Sequence, residues 1–105
     1  MYSVIYSPAA RRDLKKLSHD AARRIISSIE EIKTDPYSHV KKLKGLGKSP
    51  LYSLRIGARR VIMSIEDDRL IIFVIEVGDR SKIYRKYVSS SSQRVTRRNT
   101  SILNS

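Results

Sequence analysis

Hydrophobic positions change their period along the chain. Residues 2–6 alternate, with Tyr2, Val4 and Tyr6 on one side of an extended segment and Ser3 and Ile5 on the other. Ser7 follows with a hydroxyl suited to a helix N-terminus, and Pro8 has the fixed φ of a first helical residue. From there Ala10, Leu14 and Leu17 share one helical face, with Arg11, Arg12, Lys15 and Lys16 around the remainder. Ser18-His19-Asp20 breaks the pattern; Ala22, Ile25, Ile26, Ile29 and Ile32 restore it until Asp35-Pro36. The spacing predicts a helical hairpin with one apolar stripe, which needs a sheet to cover it.

Residues 37–50 read as a basic loop with Gly45 and Gly47 for tight turns. Three strand-like runs follow: Leu51–Ile56, Arg59–Glu66 and Arg69–Val77. Gly57-Ala58 and Asp67-Asp68 are short enough to be two-residue hairpin loops. Gly78-Asp79 ends the last strand, and Asp79 can cap a helix running to about Val88. The expected fold class is α+β: an N-terminal strand, the helical hairpin, a three-stranded antiparallel meander and a short C-terminal helix, with helices packed on one face of a single twisted sheet. Residues 1–88 form one domain in this reading. Residues 89–105, which open with four serines and hold few large apolar residues, form a basic tail expected to be flexible or foreign to the domain.

With both loops at two residues, Arg55 pairs with Arg60, Leu54 with Val61, Ile62 with Phe73 and Arg60 with Ile75. Alternation then gives an apolar face (Leu54, Ile56, Val61, Met63, Ile65, Leu70, Ile72 and Val74) for the helices. The other face carries Ser53, Arg55, Arg60, Ile62, Ser64, Ile71, Phe73, Ile75 and Val77.

Charge sharpens the picture. The chain holds 22 Lys and Arg against 10 Asp and Glu, a net +12, which implies a polyanionic partner: nucleic acid, an acidic protein or an anionic membrane surface. There is no cysteine, so neither a disulfide nor a thiolate metal site is available. His19 and His39 stand alone, and Glu66-Asp67-Asp68 reads as a solvated turn, so neither a metal nor another cofactor is expected. No long apolar run or basic-then-apolar N-terminus suggests a membrane span or signal peptide, and the expected location is the cytoplasm.

Arg55 and Arg60 facing each other across a ladder is unfavourable for folding alone. With Arg80 just past the last strand, three guanidinium groups converge on one corner, an arrangement suited to gripping a phosphate. The alternative is three solvated arginines that maintain solubility. Tyr84 lies one helical turn beyond Arg80, placed to stack on a base, handle a proton or simply pack.

Three stretches carry a family resemblance: Lys42-Leu43-Lys44-Gly45, the run from Tyr52 to Ile62, and Val77-Gly78-Asp79-Arg80-Ser81-Lys82-Ile83-Tyr84. In order and spacing they resemble the RelE/ParE toxin superfamily, over about residues 1–88. The resemblance implies a type II toxin masked by a cognate, RelB-like antitoxin. RelE-type members cleave mRNA in the ribosomal decoding site; ParE-type members inhibit DNA gyrase and lack the nuclease residues. Arg60, Arg80 and Tyr84 match positions used for catalysis by the RelE type, and Arg55 matches a basic position on the preceding strand. Some RelE-type nucleases carry lysines where this chain has Ser53 and Arg55. Candidate contacts to RNA and ribosome are Lys41, Lys42, Lys44, Lys48, Lys82 and Arg85. The competing readings are a ParE-like gyrase inhibitor and a non-catalytic RNA-binding protein.

Overall fold

The computed structural model describes residues 1–43 and 50–84 of the chain, Arg80 and Tyr84 by their backbone alone. Strand β1 spans Ser3–Tyr6, helix α1 Pro8–Lys15 and helix α2 His19–Glu31. A 3-10 turn at Pro36–Ser38 leads to β2 (Lys41–Lys42), β3 (Tyr52–Ile56), β4 (Arg59–Glu66), β5 (Ile71–Asp79) and α3 (Arg80–Tyr84). One five-stranded sheet has the order β1-β5-β4-β3-β2, with β1 parallel to β5 and the other neighbours antiparallel. Among the described residues no helix is long and apolar enough to cross a membrane.

Both helix starts follow local chemistry. The Ser7 and Ser18 hydroxyls accept hydrogen bonds from the Ala10 and Ala21 backbone N–H groups, at 3.0 and 3.2 Å. The shared apolar stripe is real: Ala10, Ile25, Ile29 and Ile32 are buried against Leu54, Ile56, Val61, Met63, Ile72, Val74 and Val77. Ile26, expected on that stripe, is 41% exposed, because the face turned to the sheet is fully occupied by Ile25 and Ile29. A second, smaller core lies on the other side of the sheet, where Leu43, Ile62 and Ile83 pack with Leu51 and Ile75. The helices therefore do not all share one face: α1 and α2 take one and α3 the other. Val88, Lys44, Lys48, Arg85 and the 89–105 tail lie outside the described residues.

The β3–β4 hairpin has the expected register, with Arg55 opposite Arg60 and Leu54 opposite Val61. Gly57 adopts φ +61°, as a two-residue turn with glycine at its first central position requires. The β4–β5 connection departs from expectation. It takes four residues, Asp67 to Leu70, before Glu66 pairs with Ile71, so β5 begins at Ile71 and runs on to Asp79. Leu70, placed on the apolar face by the shorter loop, instead closes the turn at φ +54° and is exposed. The wider turn is held by Asp67, whose Oδ1 accepts from the Tyr2 hydroxyl at 2.9 Å and the Tyr37 hydroxyl at 2.7 Å.

A second departure lies within β5. Met63 pairs with Val74 but Ile62 pairs with Glu76, so Ile75 is an inserted residue, a β-bulge. The expected pairs of Ile62 with Phe73 and Arg60 with Ile75 are replaced by Ile62 with Glu76 and Arg60 with Gly78. Because side chains alternate with period two, one extra residue moves Val77 from the expected arginine face into the helix-side core. Where β1 has run out, its continuation supplies partners: Ser7 N–H donates to the Val74 carbonyl at 2.9 Å, and the Ser7 hydroxyl to the Ile75 carbonyl at 2.7 Å. The Asp13 carboxylate of α1 accepts from the Val77 N–H at 3.0 Å.

Two outcomes follow. Asp13→Ala strands the part-buried Val77 N–H and is expected to cost about 1–3 kcal/mol in urea denaturation, with Asp13→Asn recovering part of it. The Tyr37 phenol is held well above its ordinary pKa by burial and then by its bond to Asp67, and that of Tyr2 is raised chiefly by the same carboxylate. The folded state therefore holds these protons more tightly than the unfolded chain. Their contribution is complete below about pH 10 and is lost as pH rises above it. Thermal melts should decline across that range, and less steeply for Tyr37→Phe.

Candidate nucleic-acid interface and active site

Strand alternation builds the site from one face of β3 and β4. Ser53 and Arg55 on β3 share that face with Arg60 and Ile62 on β4, and the register sets Arg55 directly opposite Arg60. Cross-strand side chains begin only about 5 Å apart, so two like charges there oppose folding. Arg55 is exposed and Arg60 half-buried. Arg60 is fixed on one side by a hydrogen bond from its Nη1 to Ser53 Oγ, 3.0 Å, and Ser53 is only 3% exposed.

Among the described residues no carboxylate forms an ion pair with Arg55 or Arg60. The ion pairs among the described residues, Glu30 with Lys33 and Glu66 with Arg69, lie elsewhere on the surface. Arg60 Nε is buried with no acceptor among the described residues. A buried donor without a partner is unfavourable by about 1–3 kcal/mol, more when the group is charged. The same face also carries Glu76, opposite Ile62. A guanidinium anchored by one nitrogen among the described residues, with a second guanidinium alongside, is preorganised for an oxyanion.

Gly78 decides what lies beside Arg60. It stands opposite Arg60 in β4–β5 pairing, and a Cβ there would come within 3.1 Å of Ile83 Cδ1. The missing side chain lets Ile83 of α3 settle on the sheet against Ile62 and Leu43. That seats α3 over the arginine face, with Arg80 as its first residue, directly after Asp79, and Tyr84 one turn later. The pairing of Asp79 with Arg59 sets the backbone of Arg80 next to the corner held by Arg55 and Arg60.

The predicted basic residues separate. Lys41 pairs with Ser53 and shares the arginine face, whereas Lys42 pairs with Tyr52 and belongs to the opposite one. Lys82 is exposed on α3. Ser53 and β2 carry structure that sequence reasoning did not assign a role. The signal for Ser53 was its place on the arginine face, diagonal to Arg60; a two-residue strand leaves no periodic signal.

Comparisons with known proteins agree with this architecture. The family model for the ParE toxin of type II toxin–antitoxin systems (parDE) matches residues 4–84. The mRNA interferase toxin RelE of Escherichia coli is 25% identical over 89 residues, covering 83% of this chain and 94% of RelE. Among solved structures, a chain of the toxin–antitoxin complex RelBE2 from Mycobacterium tuberculosis superposes with TM-score 0.68 and 25% identity, over 75% of this chain and 98% of its own. A chain of the archaeal RelE–RelB complex from Pyrococcus horikoshii gives TM-score 0.66 and 26% identity, over 77% and 97%. These findings show that the chain belongs to the ParE toxin family of type II toxin–antitoxin systems, within the RelE/ParE superfamily.

Proposed function

We propose that this toxin is a metal-independent, ribosome-dependent mRNA endonuclease that blocks translation, and that a cognate RelB-like antitoxin covers its arginine face. The observation that carries this reading is the Arg55–Arg60 pair, held without a carboxylate among the described residues and with Arg60 positioned by Ser53. Similarity to RelE, named as an mRNA interferase, and to toxins solved with their antitoxins supports it.

In the reaction the 2′-hydroxyl of the RNA attacks its neighbouring phosphate. A 2′-O–P bond forms and the P–O5′ bond breaks. The 2′-hydroxyl loses its proton, the 5′-oxygen gains one, and a 2′,3′-cyclic phosphate, which water can then open to a 3′-phosphate, remains beside a free 5′-hydroxyl. Negative charge gathers on the phosphoryl oxygens, where Arg60 and Arg80 stabilise it while Arg55 holds the backbone. Arginine keeps its proton, so proton handling falls to Tyr84, which in this reading also orients the base. Lys41, Lys42 and Lys82, together with Lys44, Lys48 and Arg85, supply salt-sensitive contacts to RNA and ribosome. The toxin acts in the cytoplasm, where its substrate is.

The ParE family match keeps gyrase inhibition as a second reading. Programmed ribosomes carrying a defined mRNA, with RNA ends mapped by primer extension and end-group analysis, separate the two. The wild type should cut at the decoding site and leave a 5′-hydroxyl, and a single 2′-deoxynucleotide at the cut should abolish it. Arg60→Ala should lose about 10²–10³ in rate while melting no lower than wild type, because it relieves the repulsion with Arg55. Ser53→Ala should lose about tenfold, on the order of one hydrogen bond, with Ser53→Thr restoring it. Intact mRNA together with inhibited gyrase would overturn the nuclease reading.

A further inference from the structure

Charge is sorted along the molecule as well as across it. Strand β4 runs from Arg59 and Arg60 to Glu66, with Asp67 and Asp68 in the turn beyond. Helix α2 runs the same way: Arg23 and Arg24 precede Ile25, and Glu30 and Glu31 end it. The two gradients are aligned. At one end Arg24 lies on the β3–β4 turn. At the other Tyr2 joins the end of the helix to the β4–β5 turn, its N–H donating to the Lys33 carbonyl and its hydroxyl to Asp67. From Arg59 to Glu66 the strand advances seven residues, about 23 Å. That is more than twice the screening length of about 8–10 Å, so the acidic end does not neutralise the basic one.

Arg24 has no evident part in holding the fold. A Cβ on Gly57 would lie 3.8 Å from Arg24 Nη1 and 3.9 Å from its Cζ and Nη2, so the guanidinium lies face-on to the turn with its N–H groups directed sideways. It is exposed and, among the described residues, forms no ion pair, even with Asp20 one helical turn before it. Alternation puts Arg59 on this helix side of the sheet, opposite Asp79, and Arg55 and Arg60 on the other. The hairpin tip is therefore flanked by guanidinium groups on both sides.

We infer that Arg24, at the β3–β4 tip, binds the phosphate backbone of a second RNA segment, the ribosomal RNA beside the mRNA. This rests on the ribosome-dependent reading of the arginine face and names a partner surface outside it. Side chains on opposite faces of a sheet point apart, so one phosphodiester cannot reach both Arg60 and Arg24. Two segments can, with the hairpin tip between them, and free single-stranded mRNA offers only one. The charge of the helical hairpin suits this occupant. Six exposed Lys and Arg stand between Pro8 and Ile25 against Asp13 and Asp20, and Asp13 is bonded to the Val77 N–H. A protein partner would need an apolar centre. Of the exposed large apolar residues, Met1, Tyr37 and Leu70 belong to the acidic end, none is on the hairpin tip, and Ile26 projects from the other side of α2.

The test uses the full chain and ribosomes, empty or programmed with mRNA that carries a 2′-deoxynucleotide at the cut. The chain has no cysteine, so Ser27→Cys, exposed one turn after Arg24, can carry a tethered iron chelate that cleaves nearby RNA. It should cut ribosomal RNA. Arg24→Ala should bind empty and programmed ribosomes alike about tenfold more weakly and lower the salt slope of binding by about one. Arg24→Lys should recover most of this, Arg60→Ala should weaken only programmed ribosomes, and both Arg24 variants should melt as the wild type does. Arg24→Ala binding as tightly as wild type, chelate cuts confined to mRNA, or a defect confined to the antitoxin complex would each overturn the contact. If wild type cuts unsubstituted mRNA and Arg60→Ala does not, an unaffected Arg24→Ala removes the contact alone. If wild type leaves mRNA intact yet its ribosome binding depends on Arg24, the nuclease reading falls and the contact stands; if it does not bind ribosomes, both fall.

Discussion

The fold turns on one inserted residue and the two side chains that accommodate it. Ile75 bulges from β5 just where β1 ends, and Ser7 and Asp13 satisfy the Ile75 carbonyl and the Val77 N–H. The insertion exchanges the faces of everything downstream. Val77 enters the helix-side core, Gly78 comes to face Arg60, and the chain leaves the sheet into α3 on the side where the arginines are. Without the extra residue, Val77 would stand on the arginine face and Gly78 would leave a gap in the main core. One carboxylate on α1 thus links the architecture of the helical layer to the geometry of the opposite face.

Electrostatics explains why that geometry is functional. Folding alone gives no reason to set Arg55 against Arg60, or to bury Arg60 Nε without an acceptor among the described residues. The opposed charges are unfavourable in the free protein and become favourable around a phosphate, which accepts from several outer guanidinium donors and neutralises two charges together. Strain of this kind concentrates at sites of action. Ser53 makes the arrangement specific by holding one nitrogen of Arg60, so the remaining donors are aimed and not merely present.

Much of this was legible in the sequence. Period-two alternation and Gly57 fixed the β3–β4 register, and with it the Arg55–Arg60 pair. Serine caps and a 3.6-residue apolar repeat located both long helices. What escaped depends on partners distant in sequence. The four-residue turn at Asp67 is held by Tyr2 and Tyr37, and the bulge at Ile75 by Ser7 and Asp13; no local pattern marks either. Because the bulge was not visible, Val77 and the pairing of Gly78 with Arg60 were misplaced by counting. Strand β2 was too short to show a period, so the division of Lys41 from Lys42 emerged only from its pairing with β3.

The central claim is that Arg60 presents an aimed donor to a phosphate. Nuclear magnetic resonance of the arginine Nε–H groups addresses it most directly, with an uncleavable 2′-deoxy oligonucleotide titrated into the protein at low salt. The account predicts that the Arg60 Nε–H resonance moves as the outer nitrogens of its guanidinium take the phosphate, while that of Arg69, already bonded to Glu66, stays in place. Saturable oligonucleotide binding that leaves Arg60 Nε–H unmoved would contradict it.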